Sequence, residues 1–319
     1  MTMKQYCFLI VQICAALFFS SCGEYIDLDH LRPDPKIVIN SFPETGVPVT
    51  AKLSRTWFYT DGEPNVTAIE FEVNLYVNGS WRESLRPDPD KSSSKQKIYT
   101  GTYLPTAGDQ LRITASAKGF KDAEGTTAIP EAPLLKDFNK TVTYDTLVTE
   151  YDTIYTQHSP VFTFTFKDNH ADRENYYLFR IDNQYIGAEE ENDNWVPMVL
   201  DFMPEPVFSS QVSAFDKIMG YDWLEASERP FSDELFRGQT YTMTMKPTNG
   251  SSRKKNRIRF SHISPEYYHY RYTLMLRENN FNADLINAGM GEPIRVFSNI
   301  KGGVGIVAGC NTTIMTTEQ

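Results

Sequence analysis

The sequence has few cysteines, no basic excess and, after residue 22, no long apolar run. Four of its 319 residues are cysteine, which excludes a disulfide-rich scaffold. Lys and Arg number 31 against 41 Asp and Glu, a net charge of −10. Because a nucleic-acid ligand requires a clustered basic face, we expect no nucleic acid among the partners. No segment of the body reaches the eighteen consecutive apolar residues of a membrane-spanning helix.

The sequence also lacks the short motifs of common catalytic and cofactor sites. It contains no G-x-S-x-G, H-E-x-x-H, Walker or C-x-x-C pattern. Gly303–Ala308 loosely matches the dinucleotide fingerprint, but eleven residues after Ala308 are too few for the helix and second strand that this fingerprint needs. We therefore expect a protein that is not an enzyme and that uses no cofactor and no metal.

Residues 1–21 have the features of an export signal. Lys4 is the only charged residue there, and an apolar run extends over Tyr6–Phe19, broken by Gln12. Fourteen residues are too few to cross a bilayer, which takes about 20. Phe19-Ser20-Ser21-Cys22 resembles a bacterial lipobox, in which the cysteine is joined to diacylglycerol and becomes the mature N-terminus. An ordinary signal peptide with an incidental cysteine is the alternative.

Lipidation at Cys22 would leave the mature chain with a single thiol, Cys310. No intramolecular disulfide is then possible, so the fold depends on its core. Several acyl chains hold a protein durably at a bilayer, because each buried CH₂ contributes about 0.8 kcal/mol. Residues 22–35 are polar and contain proline, as a tether would. We predict a folded body that a lipid anchor tethers to a membrane without spanning it.

Alternating apolar and polar residues predict an all-β body. The segment Ile69–Val77 alternates strictly and ends at Asn78-Gly79, a favoured two-residue hairpin turn. Similar short strands over residues 36–130 favour an antiparallel β-sandwich. The proline-containing stretch near residue 130 marks the boundary to a second, β-rich domain over residues 131–319.

The second domain is expected to contain further strands and one notable helix. Ser264 suits the N-cap, Pro265 suits the first helical position, and the helix continues to Glu278. Its aromatic stripe is interpreted as core packing. We also expect the strand at residues 239–246 to pair with the strand at residues 257–262 across the Asn249-Gly250 turn.

Aromatic and basic residues provide candidate binding sites. Trp195, close to Asp193, and Trp223 lie in polar segments and are possible ligand platforms, whereas Trp57 and Trp81 are expected in the core. The basic residues Arg253, Lys254 and Lys255 are possible contacts to an anionic surface. The alternative is the charged solvent edge of a hairpin.

Two acidic loops leave further alternatives open. Asp168, Asp172 and Glu174 lie in one loop, and residues 189–193 form another. Such loops are interpreted as solvated turns, with calcium binding as the alternative. A pair of these carboxylates could also serve a hydrolase, which is the less favoured function.

Several segments together resemble a lipoprotein family of the Bacteroidota that carries domain of unknown function 4249. The resemblance extends over most of the mature chain and rests on the following segments in this order: Cys22–Glu24, Lys36–Phe42, Leu111–Phe120, Asn175–Tyr177, Phe231–Asp233, Ser264–Tyr268, Ser298–Ile300 and Gly302–Gly305. Cys310 and the short tail after it are not part of the resemblance.

The resemblance implies a lipoprotein anchored in the bacterial outer membrane, facing either the periplasm or the cell surface, with an immunoglobulin-like N-terminal β-sandwich and a second β-rich domain. It also implies that the protein assists a TonB-dependent transporter, and it offers no catalytic residues to carry over. A surface glycan-binding or adhesin module is the alternative function. Exported proteins of this phylum are often O-glycosylated at Asp-Thr or Asp-Ser followed by an apolar residue. The resemblance therefore makes Thr146 and Thr153 hypothetical acceptors.

Overall fold

A computed structural model of the protein describes residues 29–58, 60–63, 65–148, 154–184, 195–210, 225–248, 255–278 and 294–317. Residues 29–34, 58 and 60 belong to a small separate unit with a 3₁₀ helix at Asp29–Leu31. The body begins at Pro35 and forms one compact unit. The predicted all-β class is confirmed, because several antiparallel sheets dominate the described residues.

The first sandwich consists of two sheets around a mainly aliphatic core. One sheet has the order β18-β1-β2-β6-β5 and the other the order β4-β3-β7-β8. The strands are β1 Ile37–Ser41, β2 Thr50–Arg55, β3 Phe71–Val77, β4 Ser80–Ser84, β5 Arg86–Asp88, β6 Lys97–Thr100, β7 Gln110–Ala117, β8 Ala123–Ala128 and β18 Val304–Val307. A 3₁₀ turn at Pro89–Lys91 follows β5. Both sheets contribute buried side chains to one cluster, as a sandwich requires.

The hairpin predicted at Asn78-Gly79 is confirmed. It joins β3 to β4, and both residues have positive φ angles, 51° and 83°. This backbone conformation suits the right-handed twist of paired strands and is easy for glycine and asparagine to adopt. Asn78 is fixed further because its Nδ2 donates to Asp109 Oδ1 at 3.1 Å.

The chain returns to the first sandwich near its C-terminal end. Strand β18 pairs in parallel with β1, with Val38 opposite Val304 and Ser41 opposite Val307. Ile300 and Val307 are buried in the first core. Gly303–Ala308 is not a dinucleotide-binding loop, as expected, because Val304–Val307 form a strand where that motif requires the start of a helix. The domain boundary after residue 130 stays a prediction. The strand Val304–Val307 belongs to the first sandwich in the structure, although its position in the sequence lies outside the range 36–130 proposed for that sandwich.

The second sandwich packs two sheets around an aromatic core. Its sheets have the orders β14-β13-β16-β10-β9 and β12-β11-β17-β19, with β15 also paired to β11. The strands are β9 Leu134–Val148, β10 Ile154–Lys167, β11 Tyr176–Gln184, β12 Trp195–Pro197, β13 Leu200–Asp201, β14 Glu225–Ala226, β15 Glu228–Ser232, β16 Thr240–Pro247, β17 Asn256–Ile263 and β19 Cys310–Thr316. Ten of the nineteen residues in its buried cluster are phenylalanine.

The predicted pairing of the strands at residues 239–246 and 257–262 is wrong. Strand β16 pairs with β10 and β13, while β17 pairs with β11 and β19 in the opposite sheet. Met243 and Phe260 still meet in one core, because they approach it from its two sides. The alternation identified each buried face correctly, but such a pattern does not specify which strand lies beside it.

Two helices accompany the described strands: α1, Pro206–Ser209, and α2, Pro265–Glu278. Helix α2 confirms the predicted helix and its start, because Tyr267 N donates to Ser264 Oγ at 3.4 Å. Tyr267 and Tyr268 pack on a small cluster around Ile263, on the outer side of the β11–β17 sheet. The aromatic stripe therefore contributes to packing, as interpreted from the sequence.

Candidate functional site

Three arginines lie on the outer face of the sheet formed by β11, β17 and β19. Arg180 stands opposite Arg259 in the register of β11 and β17, and Arg257 stands opposite Asp182. The alternate residues Ile258 and Phe260 are fully buried on the inner face. Because side chains alternate across a strand, the inner apolar residues fix the direction of the arginines. We call Arg180, Arg257 and Arg259 the arginine face.

One buried carboxylate holds two of these arginines. Asp182 is completely buried, and its Oδ2 accepts from Arg257 Nε at 2.9 Å. Arg180 Nε lies 2.6 Å from Asp182 Oδ1. Arg259 has a longer contact, with 3.8 Å between its Nη2 and Glu44 Oε1. Since two guanidinium groups share one aspartate, this face is locally positive in an acidic protein.

Trp195 extends the arginine face at its edge. It lies opposite Gln184 in the pairing of β12 with β11, and the Arg257 guanidinium lies 4.4 Å from the centre of its ring. This is a cation–π contact, which also holds the arginine in place. Trp195 is half-buried, and one side of its ring is occupied by this arginine. The structure thus places the predicted Trp195 platform against Arg257, which follows the predicted basic residue Lys255 by two positions.

A small cavity opens beside the arginine face. Its volume is about 170 Å³, and it lies between the segment after β1, the outer face of the sheet and the start of α2. The lining residues are Phe42, Glu44, Leu178, Phe179, Arg180, Glu228, Arg259, Ser261, Tyr267, Cys310 and Thr312. Glu228 pairs with Arg271 at 2.5 Å, so it does not neutralise Arg259. The cavity is smaller than typical ligand pockets and suits a single side chain or a small anion.

Cys310, the thiol nearest this cavity, is not activated. It is 8% exposed, and burial raises its pKa to about 12. Nucleophilic cysteines require the opposite shift, because the thiolate is the reactive form. Burial also raises the pKa of Tyr267 well above its ordinary value. Neither group is prepared for proton transfer or nucleophilic attack at neutral pH.

A second polar cluster is buried between loops of the second sandwich. Asn175 Nδ2 donates to Asp168 Oδ1 and to Asp233 Oδ2, both at 3.0 Å. Asp168 also accepts from the Tyr177 hydroxyl at 2.9 Å and from Gly238 N at 2.6 Å. Burial raises the pKa of Asp233, against hydrogen bonds from Asn175. We call this set the Asn175 network.

The Asn175 network connects segments rather than presenting carboxylates to a substrate. Asp168 is 1% exposed and Asp233 is fully buried. Each has hydrogen-bond donors from neighbouring chain segments, as buried carboxylates require. The network joins two segments of the family resemblance, Asn175–Tyr177 and Phe231–Asp233. The prediction that Asp168 lies in a solvated turn is wrong, because its side chain is buried and hydrogen-bonded inside the protein.

The prediction that Trp57 and Trp81 are buried in the core is also wrong. Trp57 is 50% exposed and Trp81 is 60% exposed. Trp81 lies on β4, an edge strand, where it stands opposite Tyr76 on the outer face of its sheet. Only the faces between the two sheets are covered, so a tryptophan on the outer side meets solvent whatever its hydrophobicity.

Several predicted site residues lie outside the described residues. These are Cys22, Thr153, Asp193, Trp223, Arg253 and Lys254. Lys255 is half-buried directly before β17, and Thr146 lies in strand β9 opposite Thr156. Among the described residues, no group of three His, Cys, Asp or Glu side chains is arranged to hold a metal ion. None of the described helices is long and apolar enough to cross a bilayer.

Two features of the structure were not predicted from the sequence. Arg180 and Asp182 alternate with buried residues in the strand around Phe179, a pattern that could have indicated their shared outer face. The hydrogen bonds that join Asp168, Asn175 and Asp233 could not be predicted from any short motif, because 58 residues separate Asn175 from Asp233.

Comparison with known proteins gives one family and no characterised relative. A family model described as "Domain of unknown function (DUF4249)" matches residues 24–315. No curated protein matches the chain.

Proposed function

Because the chain belongs to the family of domain of unknown function 4249, whose match starts two residues after Cys22, we propose that the protein is a lipid-anchored, non-enzymatic binding protein of the bacterial outer membrane. In this proposal it assists a TonB-dependent transporter. The observation that carries the binding role is the arginine face with Trp195 beside it.

The start of the family match supports the proposed anchor. The match leaves out residues 1–23 and includes nearly all of the remaining chain. A signal removed before Cys22 would leave a mature chain that contains every matched residue. Acyl chains on Cys22 would then hold the folded body at a bilayer without any membrane-spanning segment.

The state of the nucleophilic and acidic groups supports a function in binding. Cys310 is held as a thiol, and the paired carboxylates Asp168 and Asp233 are buried and saturated with hydrogen bonds. A catalytic carboxylate or thiol must reach its substrate in a reactive protonation state. These groups meet neither condition.

The arginine face supports contact with an acidic partner. Arg180 and Arg259 are each about one-third exposed at their side chains, and Asp182 restrains Arg180. Arginine and tryptophan are enriched in the energetic centres of protein interfaces, since both provide large rigid contact surfaces. Tethering in a shared membrane raises the effective concentration of a partner, so a modest contact area is sufficient.

The anchor is tested by replacing the proposed acyl acceptor. We expect the wild-type protein to enter the detergent phase in Triton X-114 partitioning and Cys22→Ser to enter the aqueous phase. Cys310→Ser is the matched control, because it removes a cysteine that is not the proposed acceptor. Equal partitioning of the wild type and Cys22→Ser would refute the anchor.

The partner is tested by affinity isolation from gently solubilised membranes. We expect a TonB-dependent transporter to be recovered with the wild type and to be depleted about tenfold with Arg259→Glu, which reverses the charge of the least restrained arginine. Arg86→Glu, on an exposed strand of the first sandwich, is the matched charge control. Recovery of no transporter, or equal loss with both variants, would contradict the proposal.

A further inference from the structure

The outer face of the β4-β3-β7-β8 sheet carries an ordered set of aromatic and polar side chains. Their rows follow from the strand registers. One row contains Trp81, Tyr76, Arg112 and Thr126, and the next contains Ser84, Asn74, Thr114 and Glu124. We call this surface the Trp81 face. The inner residues of the same strands, such as Val73 and Ile113, are buried and fix its orientation.

Trp81 provides an exposed and oriented aromatic surface at one end of this face. It is 60% exposed, and its Nε1 donates to Asn74 Oδ1 at 3.4 Å. Ser84 Oγ donates to the same oxygen at 2.6 Å, while Asn74 Nδ2 donates to Glu72 Oε1 at 3.1 Å. An indole held in this way loses little entropy when a ligand stacks on it.

A cleft of about 530 Å³ continues from Asn74 and Tyr76 towards β8. Its lining includes the hydroxyl groups of Thr114 and Ser116, neither of which makes a hydrogen bond to any residue that the structure describes. The far wall is formed by Lys301 and Gly302. Lys301 forms a backbone bridge with Glu124, with N–O distances of 2.9 and 2.8 Å. The volume lies in the range of small-ligand sites.

Charges on this face balance one another. Arg112 and Lys301 both approach Glu124, at 3.3 and 3.8 Å. Lys121 is the third cation of this face, and the carboxylates of Glu72, Asp122 and Glu124 match the three cations in number. The Arg112 guanidinium also lies 3.9 Å from the ring centre of Tyr76, which restrains it further. With equal numbers of cations and carboxylates, the surface offers no strong attraction to a highly charged ligand, in contrast to the arginine face.

We propose that the Trp81 face binds neutral carbohydrate chains. A sugar ring has an apolar C–H face that packs on an exposed indole, and a rim of hydroxyl groups that pair with amide, carboxylate and hydroxyl side chains. Asn74, Glu72 and Thr114 provide such groups beside Trp81. From β4 to Lys301 the face crosses four strand spacings, about 19 Å, which suits a short oligosaccharide. The proposal is independent of the membrane anchor.

The test titrates the purified protein with neutral oligosaccharides. The probes are hexasaccharides of glucose, mannose, galactose and xylose in α and β linkages, measured by calorimetry and tryptophan fluorescence. We expect at least one probe to bind, with a loss of about tenfold or more in affinity for Trp81→Ala. Thr114→Val removes one hydroxyl and keeps a strand-forming residue, and we expect about a fivefold loss.

Trp57→Ala is the matched control, because Trp57 is similarly exposed and does not lie on the β4-β3-β7-β8 sheet that forms the Trp81 face. Its affinity is expected to equal that of the wild type, and thermal melting verifies that each variant is folded. Absence of binding to every probe would overturn the proposal, as would binding that Trp81→Ala leaves unchanged. Because purified protein is used, either result leaves the membrane experiments on Cys22 and the transporter unaffected.

Discussion

The two sandwiches of this protein use aromatic residues in opposite ways. In the first, the buried cluster of eighteen residues contains only Phe71 and Tyr99 as aromatics, and Trp81 lies exposed outside it. In the second, phenylalanine fills about half of the core. Because aliphatic side chains fill the core of the first sandwich, an aromatic residue such as Trp81 is not needed there and lies at the surface. Residue type alone therefore does not indicate whether an aromatic residue packs or binds.

Polar groups differ between the two sandwiches in the same direction. The second sandwich buries Asp168, Asn175 and Asp233, which are joined to one another by hydrogen bonds. Among the described residues, the first buries one carboxylate, Asp109, which accepts from Tyr103 and Asn78, and it places polar side chains such as Asn74 and Glu124 on the outer face of a sheet. Buried polar networks fix a unique packing when fully satisfied. Buried polar contacts therefore specify the packing of the second sandwich, whereas on the first sandwich hydrogen bonds and ion pairs order polar side chains at the surface.

The largest expected effect is the loss of an aromatic core side chain in the second sandwich. Phe166 lies 4.6 Å from Phe260 and 5.2 Å from Phe236, measured between ring centres. We expect Phe166→Ala to lower the free energy of unfolding by about 5 kcal/mol, at the upper end for such truncations. Phe71→Ala, whose nearest ring is Tyr99 at 6.4 Å, should cost about 3 kcal/mol. Urea denaturation measures both, and equal losses would contradict the contrast between the cores.

Local features of this fold were predictable from sequence. The turn at Asn78-Gly79 and the helix start at Ser264 depend on neighbouring residues, and both are confirmed. The alternating segments correctly identified buried faces such as that of β3. These signals work because backbone preferences and capping act within a few residues.

Features that depend on distant parts of the chain were not predictable. The pairing of β18 with β1 joins residues about 266 apart, as in Val38 with Val304. Many strands present the same alternation, so the sequence does not select the partner of each one. The candidate sites depend on this choice, since the arginine face requires β11 beside β17. The Trp81 face likewise requires β3 beside both β4 and β7.

A smaller effect is expected from disturbing the strand that joins the chain end to the first sandwich. Gly305 has a φ of +112°, and a Cβ there would lie 2.1 Å from the carbonyl oxygen of Ile39. We expect Gly305→Ala to cost about 3 kcal/mol, because both the conformation and the space exclude a side chain. Gly108→Ala is the control, with φ +90° and open space around the new Cβ. It should cost about 1 kcal/mol in the same denaturation experiment, and similar losses for both would exclude a steric role for Ile39.

The smallest expected effect is a pH dependence of the free energy of unfolding that arises from the buried His262 of the second sandwich. Burial lowers the pKa of His262 to about 4, although its Nδ1 lies 3.0 Å from the Glu131 carbonyl oxygen. An unfolded histidine has a pKa of about 6.5, so between pH 6.5 and 4 the unfolded chain binds more protons and the folded state loses stability as pH falls. Between pH 7 and pH 5 this amounts to about 2 kcal/mol.

His262→Gln should remove this part of the pH dependence, because glutamine does not titrate. Urea denaturation at pH 7 and pH 5 compares the variant with the wild type, and His30→Gln, at an exposed position, is the control. Arg173, His170 and Asp168 also influence His262, so the difference between variant and wild type is the quantity to compare. An unchanged pH dependence in His262→Gln would mean that His262 is not held neutral by the second sandwich. In that case His262 would no longer support the conclusion that the second sandwich buries polar groups that the first leaves at the surface.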